Sequence, residues 1–345
     1  MKRTLTPIVL LFFQSFILSL LMLPGSAQTV KEVLRPTVTV SDLDRVLPFY
    51  TQTLPFELVG IQDIPIAVIR ELFGVKNAGA TARIATLRLG NETLDLLDFG
   101  KPETGAVIPA DSRSNDRWFQ HVAIVVSDID KAYSLLRQHK VAHVSSSPQT
   151  LPAYISAAAG VKAFYFRDPD GHVLELISFP AGKGKPNWQP TGSQEADRLF
   201  LGIDHTAIGS ADTDSSLAFY RDVLGLKISG SSENYGPEQE HLNQVFGAHL
   251  LITGLTAGAG PGVELLDYLT PPGGRPYPAS SHVNDLWHWH TTLLISQLDT
   301  VFRIIQQKKY SMISPGIVPI SYPGIPARRG LLVRDPDGHV LLLCE

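Results

Sequence analysis

The stretches RDPDGHVLELISF (167–179) and RDPDGHVLLLCE (334–345) carry the same turn followed by the same strand. In each, proline fixes φ and glycine accepts a positive φ, the chemistry of a tight hairpin. One substitution breaks the likeness: Glu175 in the first copy stands where Leu342 stands in the second. The duplication extends well beyond the turn. PADSRSNDRWFQH (109–121) lies on PASSHVNDLWHWH (278–290) without a gap, RPTVTVSDLDRVLPFY (35–50) on HTAIGSADTDSSLAFY (205–220), and LDLLDF (94–99) on VELLDY (263–268). The chain is thus two copies of a unit about 170 residues long.

Each copy is itself double. Residues 201–268 begin with an alternating run, continue through a helical stretch with Leu217, Tyr220 and Leu224 at i, i+3 and i+7, and end in strands around KISG, HLLITG and VELLDYL. Residues 118–179 follow the same plan, from FQHVAIVV through DKAYSLLRQH to KAFYF and HVLELISF. The expected organisation is α+β, with strand-helix-three-strand modules at 35–99 and 118–179 in a first domain (28–180) and at 201–268 and 288–345 in a second (201–345). A Pro/Gly/Lys-rich linker at 181–200 joins them.

The remaining composition narrows the partners. A formal net charge of −4 gives no reason to expect nucleic acid. The single cysteine, Cys344, excludes an internal disulfide and a thiolate metal cluster. Lys2 and Arg3, the apolar run Ile8–Leu23 and the small residues Gly25-Ser26-Ala27 predict a signal peptide over 1–27, hence a periplasmic or secreted protein with no stable membrane association after cleavage. An uncleaved anchor is the rival reading.

With an initial D(L/I)D-x-x-x-x-FY helix and a final DPDGHxxEL, the modules resemble the vicinal oxygen chelate superfamily, which includes glyoxalase I, extradiol dioxygenases, epimerases and bleomycin-resistance proteins. The resemblance implies βαβββ modules that pair into two cupped half-barrels. It also implies one ligand position on the first strand of each module and one on the last. Carried onto this chain, the first-strand positions are Arg35, His121, His205 and His290, and the last-strand positions Asp95, Glu175, Glu264 and Leu342. The expected metal ligands are His121, Glu175, His205, Glu264 and His290, with Glu175 or Glu264 serving as catalytic base. Imidazole and carboxylate suit a divalent first-row ion such as Fe, Mn, Ni or Zn and leave room for substrate oxygens.

Two pairings are open. Pairing of the second module with the third gathers His121, Glu175, His205 and Glu264 and leaves Arg35, Asp95, His290 and Leu342 as a degenerate partner. Sequential pairing offers His205, His290 and Glu264 in one half and Asp95, His121 and Glu175 in the other. The first favours a glyoxalase-like lyase or isomerase acting on a small oxygen-chelating substrate. The second favours an Fe(II) ring-cleaving dioxygenase, although Leu342 occupies the place of its carboxylate. A non-catalytic protein that sequesters a small molecule is the third reading.

Overall fold

Alternating apolar positions make the strands and the i, i+3, i+7 stripes make the helices, so each module repeats one order of elements. The computed structural model describes residues 29–345 apart from 78, 102–104, 189–197, 273 and 322–323. The stretch 1–27, where a signal peptide is expected, and the centre of the linker lie outside the described residues. Module one comprises β1 (Val30–Thr39), α1 (Leu43–Pro48), β2 (Glu57–Asp63), α2 (Ile66–Glu71), β3 (Arg83–Leu89) and β4 (Glu92–Asp98). Module two comprises β5 (Gln120–Val126), α3 (Ile129–Gln138), the short β6 (Ala142–His143) and β7 (Gln149–Thr150), β8 (Lys162–Arg167) and β9 (Val173–Ser178). Module three comprises β10 (Phe200–Ser210), α4 (Thr213–Tyr220), β11 (Lys227–Tyr235), α5 (Pro237–Asn243), β12 (His249–Thr256) and β13 (Gly262–Thr270). Module four comprises β14 (Trp289–Ile295), α6 (Leu298–Lys308), β15 (Val318–Pro319), β16 (Arg329–Arg334) and β17 (Val340–Cys344).

The sheets join modules from different halves of the sequence. A 9-stranded sheet runs β11-β12-β13-β10-β5-β9-β8-β6, with β7 also pairing β8, and unites modules three and two; an 8-stranded sheet runs β15-β16-β17-β14-β1-β4-β3-β2, uniting modules four and one. In both, the two first strands pair antiparallel at the centre. The sequence halves 28–180 and 201–345 are therefore not one half-barrel each. Apolar packing crosses in the other sense: one core cluster joins Val38, Tyr50 and Leu87 of module one to Ile124, Phe164 and Leu174 of module two, and another joins modules three and four. Sheets formed across the halves and cores formed within them interlock the four modules.

The repeated turn bolts the two half-barrels together. Gly171 and Gly338 take φ of 94° and 105°, which a Cβ would strain. Asp168 accepts Tyr50 Oη at 3.0 Å from module one, and His172 Nε2 lies 2.6 Å from Leu286 O on the approach to β14. The second copy repeats the device, with Tyr220 Oη donating to Asp335 at 3.0 Å and His339 Nε2 lying 2.7 Å from Gly209 O. Thus the Tyr of FY and the Asp and His of DPDGH are structural partners. The copies differ in charge balance. Burial alone would raise the Asp168 carboxyl, but His172 at 2.8 Å, with Tyr50, holds it below its ordinary value. Burial, helped by Asp337, leaves Asp335 above it.

Between its second and third long strands each of modules one and three inserts a short helix. In module three β11 runs on to Tyr235, because Glu233–Tyr235 pair with His249–Leu251 of β12, and α5 follows. In module one the helix is α2, closed by Gly74 at φ 69°.

Candidate metal centre

Strand register builds the site as two rows on one face of the 9-stranded sheet. Across β5, β10 and β13 lie His121, Ala207 and Glu264, and across β9, β5 and β10 lie Glu175, Ala123 and His205. Residues two apart on a strand share a face, so the four polar side chains converge over the two alanines. His121 Nε2 is 3.1 Å from Glu175 Oε2, and His205 Nε2 is 3.5 Å from Glu175 Oε2 and 3.4 Å from Glu264 Oε2. Ligand atoms of His121, Glu175 and His205 fall within 4.8 Å of one another, the one such group among the described residues.

The electrostatics follow from burial and proximity. Burial would raise the Glu175 carboxyl, but His121 and His205 bring it down to about 2. Burial would lower the His205 imidazole, yet Glu264, Asp204 and Glu175 raise it well above its ordinary value. Glu264 has a side chain 30% exposed against 6% for Glu175, and burial raises its carboxyl. Ion pairing among the four is poorly aligned: among the described residues neither His121 Nε2 nor His205 Nε2 makes a hydrogen bond, and His121 Nδ1 has no partner. Buried imidazole nitrogens aimed at a shared point rather than at one another fit a cation at that point.

Asp204 completes the arrangement and was not singled out in the sequence. The β5–β10 register shifts between Ile203 and His205, a bulge at Asp204. Its Oδ2 lies 3.1 Å from His205 Nδ1. The linker supports it in turn: Trp188 Nε1 donates to Asp204 Oδ1 at 2.8 Å, and Lys185 Nζ to its carbonyl at 3.2 Å. A carboxylate behind a ligating imidazole fixes the tautomer and raises ligand basicity. The signal available in sequence was the adjacency of Asp204 to His205; the linker contacts left none.

His290 does not join this group, contrary to expectation. It belongs to the other sheet, where the same two rows read His290, Thr37, Asp95 and Leu342, Thr292, Arg35. Arg35 Nη1 pairs with Asp95 Oδ1 at 3.1 Å, and Thr86 Oγ1 donates to the same oxygen at 2.7 Å. His290 lies against Phe73, ring centroids 5.9 Å apart, and burial lowers its imidazole to about 3. Phe73 and Leu72, just beyond α2, pack with Leu332 and Leu342 in one apolar cluster, so this cup is filled. The sequential sets combining His290 with His205, or Asp95 with His121, are thereby ruled out.

The four converging residues open on a cavity of about 410 Å³, also lined by Tyr165, Ser232, Asn234 and Gln239. Tyr165 lies with its ring centroid 4.8 Å from that of His121. A larger cavity, about 670 Å³, lies by Gln52, Arg88 and Trp188 and contains no comparable group of ligand-type side chains among the described residues.

A mixed α+β chain of duplicated modules, two half-barrels and one oxygen- and nitrogen-rich cup is the architecture of the vicinal oxygen chelate fold. The sequence profile of the Glyoxalase/Bleomycin resistance protein/Dioxygenase superfamily matches residues 32–176 and 202–343, and the chain belongs to that superfamily. A 2-epi-5-epi-valiolone epimerase of an Actinomyces species is 37% identical over 147 residues, 42% of this chain and 77% of that protein. Glyoxalase I of Zea mays shares the fold at 16% identity with a TM-score of 0.58, covering 91% of this chain and 92% of that one.

Proposed function

We propose that the chain is a divalent-metal-dependent isomerase, of epimerase type, acting on a small oxygenated substrate in the cup of modules two and three. The observation that carries this is the convergence of His121, Glu175, His205 and Glu264 with their imidazole nitrogens unspent on one another. A cation held by these four would polarise a substrate oxygen and acidify the neighbouring C–H. The two carboxylates sit on the outer strands, β9 and β13, with the two imidazoles on β5 and β10 between them. This is the layout for removing a proton from one face of a carbon and returning one to the other. Glu264, the less enclosed, takes the proton as the C–H electron pair moves toward the substrate oxygen. A solvent proton delivered on the Glu175 side adds to the opposite face of the carbon, inverting it, and the proton taken by Glu264 passes back to solvent. The similarity to an epimerase supports the same reaction class.

The test is metal content by mass spectrometry together with solvent deuterium incorporation beside a ketone, followed by NMR. Bound metal with exchange lost in Glu264→Gln supports the reading; exchange undiminished in both Glu264→Gln and His205→Ala overturns it. A second reading is favoured by the tight grouping of His121, Glu175 and His205, a two-histidine, one-carboxylate set that also suits Fe(II) oxygenation. Oxygen uptake with a catechol by the Fe(II)-loaded protein distinguishes it. Export is part of the proposal, tested by N-terminal sequencing of protein recovered outside the cytoplasm, which should begin near residue 28.

A further inference from the structure

The inserted helices end in related sequences that lie differently in the two cups. ELFG (71–74) closes α2 and QVFG (244–247) closes α5. The glycines agree, Gly74 at φ 69° and Gly247 at φ 71°. Leu242 and Val245 are buried like their counterparts Ile69 and Leu72. The phenylalanines differ. Phe73 is 2% exposed, its ring edge-on to Phe99 at 5.6 Å and 5.9 Å from the His290 ring, whereas Phe246 is 93% exposed. The backbones part just before these rings. Glu71 is the last residue of α2, and Leu72 continues right-handed at φ −81° and ψ −52°. Gln244, the counterpart of Glu71, has already left α5 in the left-handed region at φ 54° and ψ 39°.

A left-handed backbone is unfavourable for a residue with a Cβ, and glycine is the residue that takes it readily. Gln244 is held there by its own side chain, whose Nε2 donates to His241 O at 2.9 Å, an exposed bond that water can replace. The outward ring of Phe246 adds unburied apolar surface. The open arrangement thus carries two local costs, one in the backbone and one in hydration, and a right-handed Gln244 removes both. Module three also offers the ring a seat. Tyr268 stands where Phe99 stands in module one and packs in one cluster with Leu242 and Val245. Beneath α5 lies the cavity of about 410 Å³, lined by Gln239 and Leu242 of that helix and by His121, the counterpart of His290. One neighbour differs: Tyr165, in register with Glu175, replaces Leu332, in register with Leu342, so the ring would meet an aromatic wall.

We propose that the end of α5 is a two-state lid hinged at Gln244. With Gln244 left-handed, Phe246 stands in solvent and the cavity is open. With Gln244 right-handed, Phe246 turns in toward Tyr268 and roofs the cavity, the arrangement that Phe73 holds permanently in the filled cup. Such closure sequesters a proton transfer from bulk water. Its part in turnover rests on the isomerase reading above; the lid itself rests on the two backbones alone. The reporter is Phe246→Trp, read as the fluorescence difference from protein that carries only Trp118, Trp188, Trp287 and Trp289. Gln244→Gly accepts the left-handed turn and β-branched Gln244→Ile opposes it, which should separate their open-to-closed ratios by about tenfold. The indole should be freely quenched by acrylamide with Gln244→Gly, and blue-shifted and shielded with Gln244→Ile. Melting temperatures confirm the fold; if Gln244→Ile does not fold, Gln244→Ala opposes the turn without branching and should move the signal the same way by less. An indole equally exposed in every folded variant would overturn the proposal. Metal content and deuterium exchange of the same samples separate the two readings. Shielding that follows Gln244 in protein without metal or exchange would uphold the lid and remove the isomerase mechanism, whereas bound metal and exchange with an unchanging indole would do the reverse.

Discussion

The two half-barrels share a register and differ in what the register holds. In the cup of modules two and three the eight compared places read His121, Ala207, Glu264, Glu175, Ala123, His205, with Asp204 behind and Phe246 at the end of the α5 segment. In the cup of modules one and four they read His290, Thr37, Asp95, Leu342, Thr292, Arg35, with Leu34 behind and Phe73 after α2. Every change converts a cluster of ligand-type side chains into a packed interior. Arg35 supplies a fixed positive charge beside Asp95, Leu342 replaces a carboxylate, and Phe73 lies over His290. Phe246 is instead 93% exposed, leaving the other cup open beneath α5. One backbone thus holds either a cavity with unspent ligands or a solid core with its own counter-charge, and the choice rests on a handful of side chains.

The strongest way to break this comparison is to remove a ligand from each cup. His121→Ala should abolish metal binding and lower activity by about 100-fold or more, whereas His290→Ala should leave metal content unchanged, as measured by mass spectrometry. Equal metal loss in both would show that the second cup participates. Next comes the internal cation: Arg35→Ala strands Asp95 in an apolar interior and should cost about 3–5 kcal/mol of stability by denaturant unfolding. The same truncation at His205, whose cup already opens on a cavity, should cost less.

Asp204→Asn sharpens the contrast at the supporting position that Leu34 occupies in the filled cup. Metal affinity, measured by competition with a chelator, should fall by about 10–100-fold with the fold retained. The smallest effects separate the two turns. His172→Ala removes contacts to both Asp168 and Leu286 and should cost more stability than His339→Ala, where the ring contact is to Gly209 O, by about 1–2 kcal/mol. Titration gives the sign: burial lowers the His172 imidazole but Asp168 raises it further, leaving it above its ordinary value. Its contribution is therefore complete below about pH 6.5 and declines as pH rises through the raised folded value. Asp168, held low, contributes above about pH 3.9 and loses that contribution only as pH falls through its lowered value. Stability of His172→Gln should accordingly decline less than wild type between neutral and alkaline pH, read by thermal melting.

Much of this was legible in the chain because repetition and strand periodicity are local. The twofold duplication, the modules and the tight DPDG turns follow from spacing alone, and the resemblance to the superfamily marked the ligand-type residues at matching strand positions. The loss at Leu342 was legible too, visible as an apolar residue in a place where its counterpart is Glu175. The structural part played by His172 and His339 was not visible, since their partners Leu286 and Gly209 are 114 and 130 residues away. Which modules share a sheet was settled only by tertiary structure. The central strands β1, β5, β10 and β14 present backbone donors and acceptors that carry no mark of their partner, so the separation of His290 from His205 awaited the pairing itself. The bulge that aims Asp204 at His205, and the linker tryptophan that steadies it, likewise arise where distant segments meet. Sequence determined which side chains could ligate a metal; the crossing of the two halves decided which of them meet.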